Sequence, residues 1–144
     1  TIASLHLPCF RCREEKENTR AVLRAIENPL VDIIGHPDDA RLPLSYEPIV
    51  EAAKKHKKLL EVNESSLNPS GYRLGAADNY REMLRLCKEY QQPIVVDSDA
   101  HFLTQIGAHA RAEALLKELN FPEDLVINGS VEQFLQYTGK YRRK

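Results

Sequence analysis

Several features that would assign a specialised class are scarce or missing in this sequence. It holds three cysteines, Cys9, Cys12 and Cys87, an odd number that builds no disulfide framework and suits a reducing compartment better than secretion. Cys9 and Cys12 form a lone C-x-x-C, but no second ligand pair stands at zinc-site spacing and no redox-type βαβ unit surrounds it, so we read it as coincidence. Neither charge is in excess. Twenty Lys and Arg against twenty-one Asp and Glu leave a formal net charge of -1, which offers no long-range attraction for nucleic acid or an anionic membrane. The longest apolar runs, such as Val31-Asp32-Ile33-Ile34 and Ile94-Val95-Val96, fall far short of the ~20 residues that span a bilayer, and no basic-then-apolar leader opens the chain. The expectation is a cytoplasmic chain with no membrane or nucleic-acid partner. There is no internal repeat, low-complexity tract or linker. Thr1 leads directly into Ile2-Ala3-Ser4-Leu5 without an initiator Met, so the chain is expected to begin inside a folded element.

What is present is a globular composition, 42% hydrophobic over 144 residues, enough for one core and one domain, residues 1–144. Short β-branched or apolar runs alternate with longer amphipathic stretches. The strand candidates are Ile2 to Leu7, Val31 to Gly35, Leu59 to Asn63, Ile94 to Asp97 and Leu125 to Asn128. The first helix follows Glu14, carries Thr19, Val22, Leu23 and Ile26 at helical spacing, and stops at Asn28-Pro29 because the residue before proline disfavours the helical basin. Others are expected over Tyr46 to His56, from about Gly75 through Tyr90, from Ile106 to Leu119, and after Ser130 as N-cap. Strands separated by such helices pair in parallel through right-handed crossovers. The fold class is α/β, with an open sheet and an arc of a (β/α) barrel both compatible with the pattern.

In parallel α/β folds chemistry collects where the strands end. Strand one ends in His6, strand two in Gly35-His36-Pro37-Asp38-Asp39, strand three in Glu61-Val62-Asn63-Glu64-Ser65-Ser66, and strand four in Asp97-Ser98-Asp99-Ala100-His101. A single histidine after a strand is ordinarily a loop residue, and Asp99 alone could cap the next helix. Three histidines at equivalent strand ends, one with an aspartate two residues before it, point instead to metal ligands, since imidazole and carboxylate suit zinc, manganese or iron. Asp99-x-His101 in an extended segment would turn both side chains to one side. His56, in its lysine run, reads as a solvated helix end, and His109 as a mid-helix surface or packing residue. The basic tail Lys140 to Lys144 reads as a frayed terminus.

Asp32-Ile-Ile-Gly-His36-Pro37, Glu61-Val-Asn63-Glu-Ser65-Ser66 and Asp97-Ser-Asp99-Ala-His101, in that order, resemble the later motifs of the polymerase and histidinol phosphatase (PHP) family. The likeness is to its short bacterial phosphatases and to the PHP domains attached to family X polymerases, and it runs from His6 to the final helix. The resemblance implies the C-terminal part of a distorted (β/α)7 barrel that hydrolyses phosphomonoesters on a cluster of divalent metals, zinc, manganese or iron. It implies that His6 and His36 help hold one metal, Asp99 a second and His101 a third, that Asp99 and His101 serve catalysis, and that Asn63, Ser65 and Ser66 orient ligands by hydrogen bonds. The family's opening His-x-His pair, further histidines and bridging glutamate are not found in this sequence, and Asp38-Asp39 replaces a more usual Gly-containing stretch. The metal site is therefore expected to be incomplete and this chain alone to turn over little of a small phosphorylated substrate. Two alternatives stand beside this reading: a non-catalytic α/β module that assembles, as a homo-oligomer, through open barrel edges, and a PHP appendage of a polymerase.

Overall fold

The computed structural model describes residues 1–10 and 14–138; Cys12 and the Lys140 to Lys144 tail lie outside the described residues. Four strands, β1 (Ile2–Ser4), β2 (Ile33–Gly35), β3 (Leu59–Asn63) and β4 (Ile94–Asp97), form one parallel sheet in sequential order. Five helices accompany them among the described residues: α1 (Glu15–Glu27), α2 (Tyr46–His56), α3 (Ala76–Tyr90), α4 (Ala110–Glu118) and α5 (Val131–Tyr137). Each element between β1 and β4 that was expected to be helical or extended is so, because periodicity and stop signals agree. Asn28 leaves the helical basin at ψ 121° before Pro29 and so ends α1. Lys57 and Gln91 close α2 and α3 in the left-handed region, at φ 52° each.

Strand side chains alternate, and the two faces of the sheet bury different partners. Ile34, Leu60, Val62, Ile94 and Val96 pack against Val22 and Ile26 of α1, Ile49, Val50 and Ala53 of α2, Tyr80, Met83 and Leu84 of α3, and Ala112 and Leu115 of α4. The opposite face, Ile33, Leu59, Val95 and Ile127, is covered by Phe134 and Tyr137 of α5. So α1 to α4 share one face of the sheet, unlike a doubly wound fold, which places helices on both. Two long polar side chains are carried into the seam where helices meet strands: Lys58 Nζ donates to the Asn28 and Val31 carbonyls, and Gln92 Nε2 donates to the Lys58 carbonyl at 2.8 Å. Each is 2% exposed or less, and the hydrogen bonds offset the desolvation this entails.

Three expectations are corrected. The first strand is shorter than Ile2 to Leu7, because residues after Ser4 turn and the Cys9 and Phe10 amides donate to the His6 carbonyl at 2.9 and 2.8 Å. The fourth helix starts at Ala110, not Ile106, because Gly107 sits at φ 77°; His109 is thus its N-cap residue and not mid-helix. The fifth strand, Leu125 to Asn128, is a pair of 3-10 turns with one parallel bridge, Ile94 to Val126. Here a side chain substitutes for a peptide: Asn128 Oδ1 accepts from the Val96 N–H and its Nδ2 donates to the Val96 carbonyl, both at 2.7 Å. Asn128 therefore satisfies the edge of β4 as a fifth strand would. Asn128→Ala should leave both Val96 groups without these partners and lower unfolding free energy by about 1–3 kcal/mol. Urea denaturation with amide exchange at Val96 measures this, and an unchanged midpoint with unchanged protection would refute it.

Candidate functional site

The carboxyl ends of the four strands carry an unusual concentration of buried polar groups. Alternation places Glu61 and Asn63 on the same face of β3, and both are almost wholly buried, at 5% and 1% exposure. Glu61 Oε2 accepts the backbone N–H of His36 at 2.5 Å, and its Oε1 accepts from Asn63 Nδ2 at 3.1 Å. Burial pushes the Glu61 carboxyl up to about 7, and the nearby Asp97 and Asp99 add to this, against the two hydrogen bonds. Asn63 Oδ1 in turn accepts from the backbone N–H and the Oγ of Ser66. Ser66 Oγ accepts from Arg73 Nη1 at 2.8 Å. An unbroken chain of hydrogen bonds thus runs from the end of β2 across β3 to the loop before α3. Ser65 is exposed and stands outside it.

Gly35 makes this arrangement possible. A Cβ there would lie 2.6 Å from Ser4 Oγ, 2.9 Å from Ile2 Cγ2 and 3.3 Å from Glu61 Oε2, so only glycine lets β1, β2 and the Glu61 carboxylate close on one another. His36, which follows, is held at φ 31°, and Asp99 at φ 51°. Left-handed backbone at two non-glycine residues costs on the order of 1 kcal/mol each and concentrates at functional sites. The loop after His36 is fastened from three directions: Tyr46 Oη donates to the Pro37 carbonyl at 2.8 Å, Asn79 Nδ2 to the Asp38 carbonyl at 2.7 Å, and the Ala40 N–H to the Leu74 carbonyl at 2.8 Å.

The four residues expected as ligands do not form one group. His6 and His36 come together, ring centroids 4.8 Å apart and edge to face. His36 Nδ1 is buried without a hydrogen-bond partner. Burial, followed by the charges of Arg73 and His6, lowers the His36 imidazole to about 4, so it is neutral at physiological pH, the form that donates a lone pair to a metal. Asp99 stands close enough to influence His36 electrostatically, but its carboxylate faces Arg73, with Oδ2 at 3.5 Å from Nη1. His101 is exposed, and its Nδ1 lies 2.8 Å from the carbonyl of Asp99. The extended Asp99-x-His101 geometry is corrected here: β4 ends at Asp97, and the left-handed turn at Asp99 breaks the alternation that would put both side chains on one side. Among the described residues no three His, Cys, Asp or Glu side chains form a metal-holding group. The orphaned Nδ1 and the neutral imidazole make the His6 and His36 pair fit for a divalent ion that takes further ligands from elsewhere.

Four contributors lay outside the expected site residues, although Asp38 and Glu64 stand in the strand-end stretches where the sequence directs attention. Arg73 lies in an irregular loop, yet its guanidinium reaches Ser66, Asp99 and Asp38, with Nε 3.7 Å from Asp38 Oδ1. The Asp38 side chain is fully buried and neither oxygen closes a hydrogen bond; burial raises its pKa, while Ser66, Tyr80 and Arg73 pull it down. Tyr80, fully buried, accepts the Asn63 N–H at 2.9 Å. Glu64 accepts from the Arg111 and Ala112 amides and from Arg111 Nη1, capping α4, where a carboxylate meets the positive end of the helix. It thereby fixes the far end of the loop that carries Asp99 and His101. Burial raises the pKa of Asp97, with His109 opposing the shift and Asp99 adding to it.

No family model matches the chain. Searches among curated proteins do find relatives: it is 38% identical to a probable phosphatase of Clostridium novyi over 136 residues, 94% of this chain. Its identity to a probable phosphatase of Caldanaerobacter subterraneus is 41% over 144 residues, 99% of the chain, and to one of Acetivibrio thermocellus 36% over 143 residues. All three relatives are named as probable phosphatases. The chain spans only 55%, 56% and 58% of their respective lengths. In structure it resembles a chain of the cryo-EM structure of archaeal ribonuclease P with mature tRNA, with TM-score 0.54 and 25% identity over 83% of this chain and 49% of that one. No helix among the described residues is long and apolar enough to cross a membrane.

Gly35→Ala should force β1 away from β2 or displace Glu61, destabilising the fold by about 1–3 kcal/mol, as overpacking does. Thermal unfolding measures the effect, and a variant as stable as the parent would contradict the close approach described.

Proposed function

We propose that this chain is the C-terminal part of a metal-dependent phosphomonoesterase of the PHP type, whose strand ends form half of a hydrolytic site. The observation that carries the reading is the His6 and His36 pair, with its orphaned, neutral imidazole, set beside Asp99 in strained backbone at the rim of a parallel sheet. Relatives named as probable phosphatases support the reaction class. Sequential strands with α1 to α4 on a single face support an arc of a (β/α) barrel.

On this reading His6 and His36 hold a divalent ion, zinc, manganese or iron, with Asp99 and His101 available to others; the remaining ligands come from outside this chain. Such an ion, when bound, supplies Lewis-acid activation of water and neutralises charge at a phosphoryl group. The chain's own residues do the positioning. Glu61 fixes the His36 backbone, Asn63 and Ser66 carry that restraint to Arg73, and Glu64 anchors the loop bearing Asp99 and His101. Held this way, the site keeps reacting groups in place without reorganisation during the reaction.

Calorimetric titration of Zn2+ or Mn2+ into the purified chain should show one weak site. His6→Ala and His36→Ala should each weaken it at least about tenfold, a scale at which even outer partners of a metal act. Hydrolysis of p-nitrophenyl phosphate by the chain alone should be slight. Metal affinity unchanged in both variants, or fast turnover insensitive to chelator, would reject the reading.

A second reading has its own observation. Among the described residues β1 pairs only with β2, and Ile2 on it is 54% exposed, an open edge of the kind that recruits another chain. A mass that rises with concentration in sedimentation would favour assembly through this edge.

A further inference from the structure

The loops that follow β2 and β3 carry a second group of side chains, one residue outward from Asp38 and Arg73. Asp39 follows Asp38, Tyr72 precedes Arg73, and Arg41 joins the two. Asp39 holds Arg41 in one orientation: the arginine Nε donates to Oδ1 at 2.8 Å, Nη2 to Oδ2 at 2.5 Å, and the backbone N–H to Oδ1 at 3.1 Å. The guanidinium so fixed lies over the ring of Tyr72, 4.2 Å from its centroid. Its planar group takes a carboxylate along its edge and a ring on its face at the same time, which a lysine ammonium does not.

This stack is not required to join the two loops. The Ala40 N–H already donates to the Leu74 carbonyl at 2.8 Å, and Gly75, at φ 65°, stands so near Ala40 that a Cβ would be 2.9 Å from it. Nor does the stack bury Tyr72, which stays 70% exposed. With Arg41 over one face, exposure of that size leaves the other face open to solvent. A ring whose negative face is matched by a cation on one side offers its free side to a second ring in offset stacking. Phe102, also exposed at the rim, stacks on no ring or cation among the described residues.

The stack borders the candidate site. The Asp38 N–H donates to the His36 carbonyl at 2.8 Å, so the chain turns back at once after His36. Consecutive Cα atoms about 3.8 Å apart keep that of Asp39 within about 11 Å of that of His36. An ester with its phosphoryl group at the His6 and His36 pair can extend its other end over this loop.

We propose that Tyr72, backed by Arg41, is the surface on which an aromatic ring of the leaving group stacks, so that the substrates are phosphomonoesters carrying such a ring. This rests on the phosphomonoesterase reading and deepens it by naming the substrate class. The ring is either bonded directly to the ester oxygen or carried on a sugar.

The test is calorimetric titration of the purified chain, with Zn2+ present, using ribose 5-phosphate, phenyl phosphate and adenosine 5′-monophosphate. Tyr72 is exposed, so Tyr72→Leu and Tyr72→Phe should fold as the parent does, which circular dichroism checks. At least one aromatic ester should bind roughly 5- to 150-fold more tightly than ribose 5-phosphate, the worth of one stacked base. A gain with phenyl phosphate alone places the ring on the ester oxygen, and a gain with adenosine 5′-monophosphate alone places it on the sugar. Tyr72→Leu should abolish the preference while leaving ribose 5-phosphate affinity unchanged, Tyr72→Phe should keep it, and Phe102→Leu should have no effect. Equal binding of the three esters by the parent would overturn the proposal and leave the phosphomonoesterase reading intact. A preference that survives Tyr72→Leu, or is lost in Phe102→Leu, would overturn it too, as would a parent that binds no aromatic ligand. Adenosine bound through Tyr72 by a chain that binds none of the esters would instead count against the phosphomonoesterase reading and leave the stacking surface standing.

Discussion

The buried carboxylate of Glu61 is the interaction on which the site depends. An ionisable side chain at 5% exposure inside a buried strand is tolerated when its oxygens are matched, and here the His36 N–H and Asn63 Nδ2 match them. Without that carboxylate, the left-handed turn at His36 would lose its anchor, and the ring would not be held against His6. Glu61 is therefore the link between the packing of the sheet and the chemistry at its rim.

Much of what surrounds Glu61 follows from the need to reach it. Gly35 is small because β1 and β2 converge beside it. Tyr80 is buried to give the Asn63 N–H an acceptor. Ser66 passes the network on to Arg73, which brings positive charge to Asp38 and Asp99. Each member is satisfied by the next, and such networks are more specific than their separate pairs. The exceptions are His36 Nδ1 and the oxygens of Asp38, which close no hydrogen bond among the described residues.

The same logic separates the two ends of the sheet. Near the amino ends of the strands Ile33, Leu59 and Val95 meet Phe134 and Tyr137, an apolar seal that contributes stability. At the carboxyl ends polar groups and strained backbone replace it. The apolar seal and the polar candidate site thus occupy opposite ends of the same strands, as stability and function do in other parallel α/β folds.

The strands β1 to β4, the helices α1 to α3 and the positions of His6, His36 and Asp99 at strand ends were legible in the sequence, because periodicity, proline stops and strand-end placement are local properties. The mistaken fifth strand shows the limit: Leu125 to Asn128 has strand composition, but one asparagine side chain meets the need of β4 for an edge partner. Gly107 likewise delayed α4 by a turn that apolar spacing did not reveal. Two things were decided by tertiary structure alone: the meeting of His6 with His36 and the approach of Arg73 to two carboxylates. Each depends on the direction of a side chain relative to residues 25 or more positions away, which strand register and loop anchoring fix and local sequence does not.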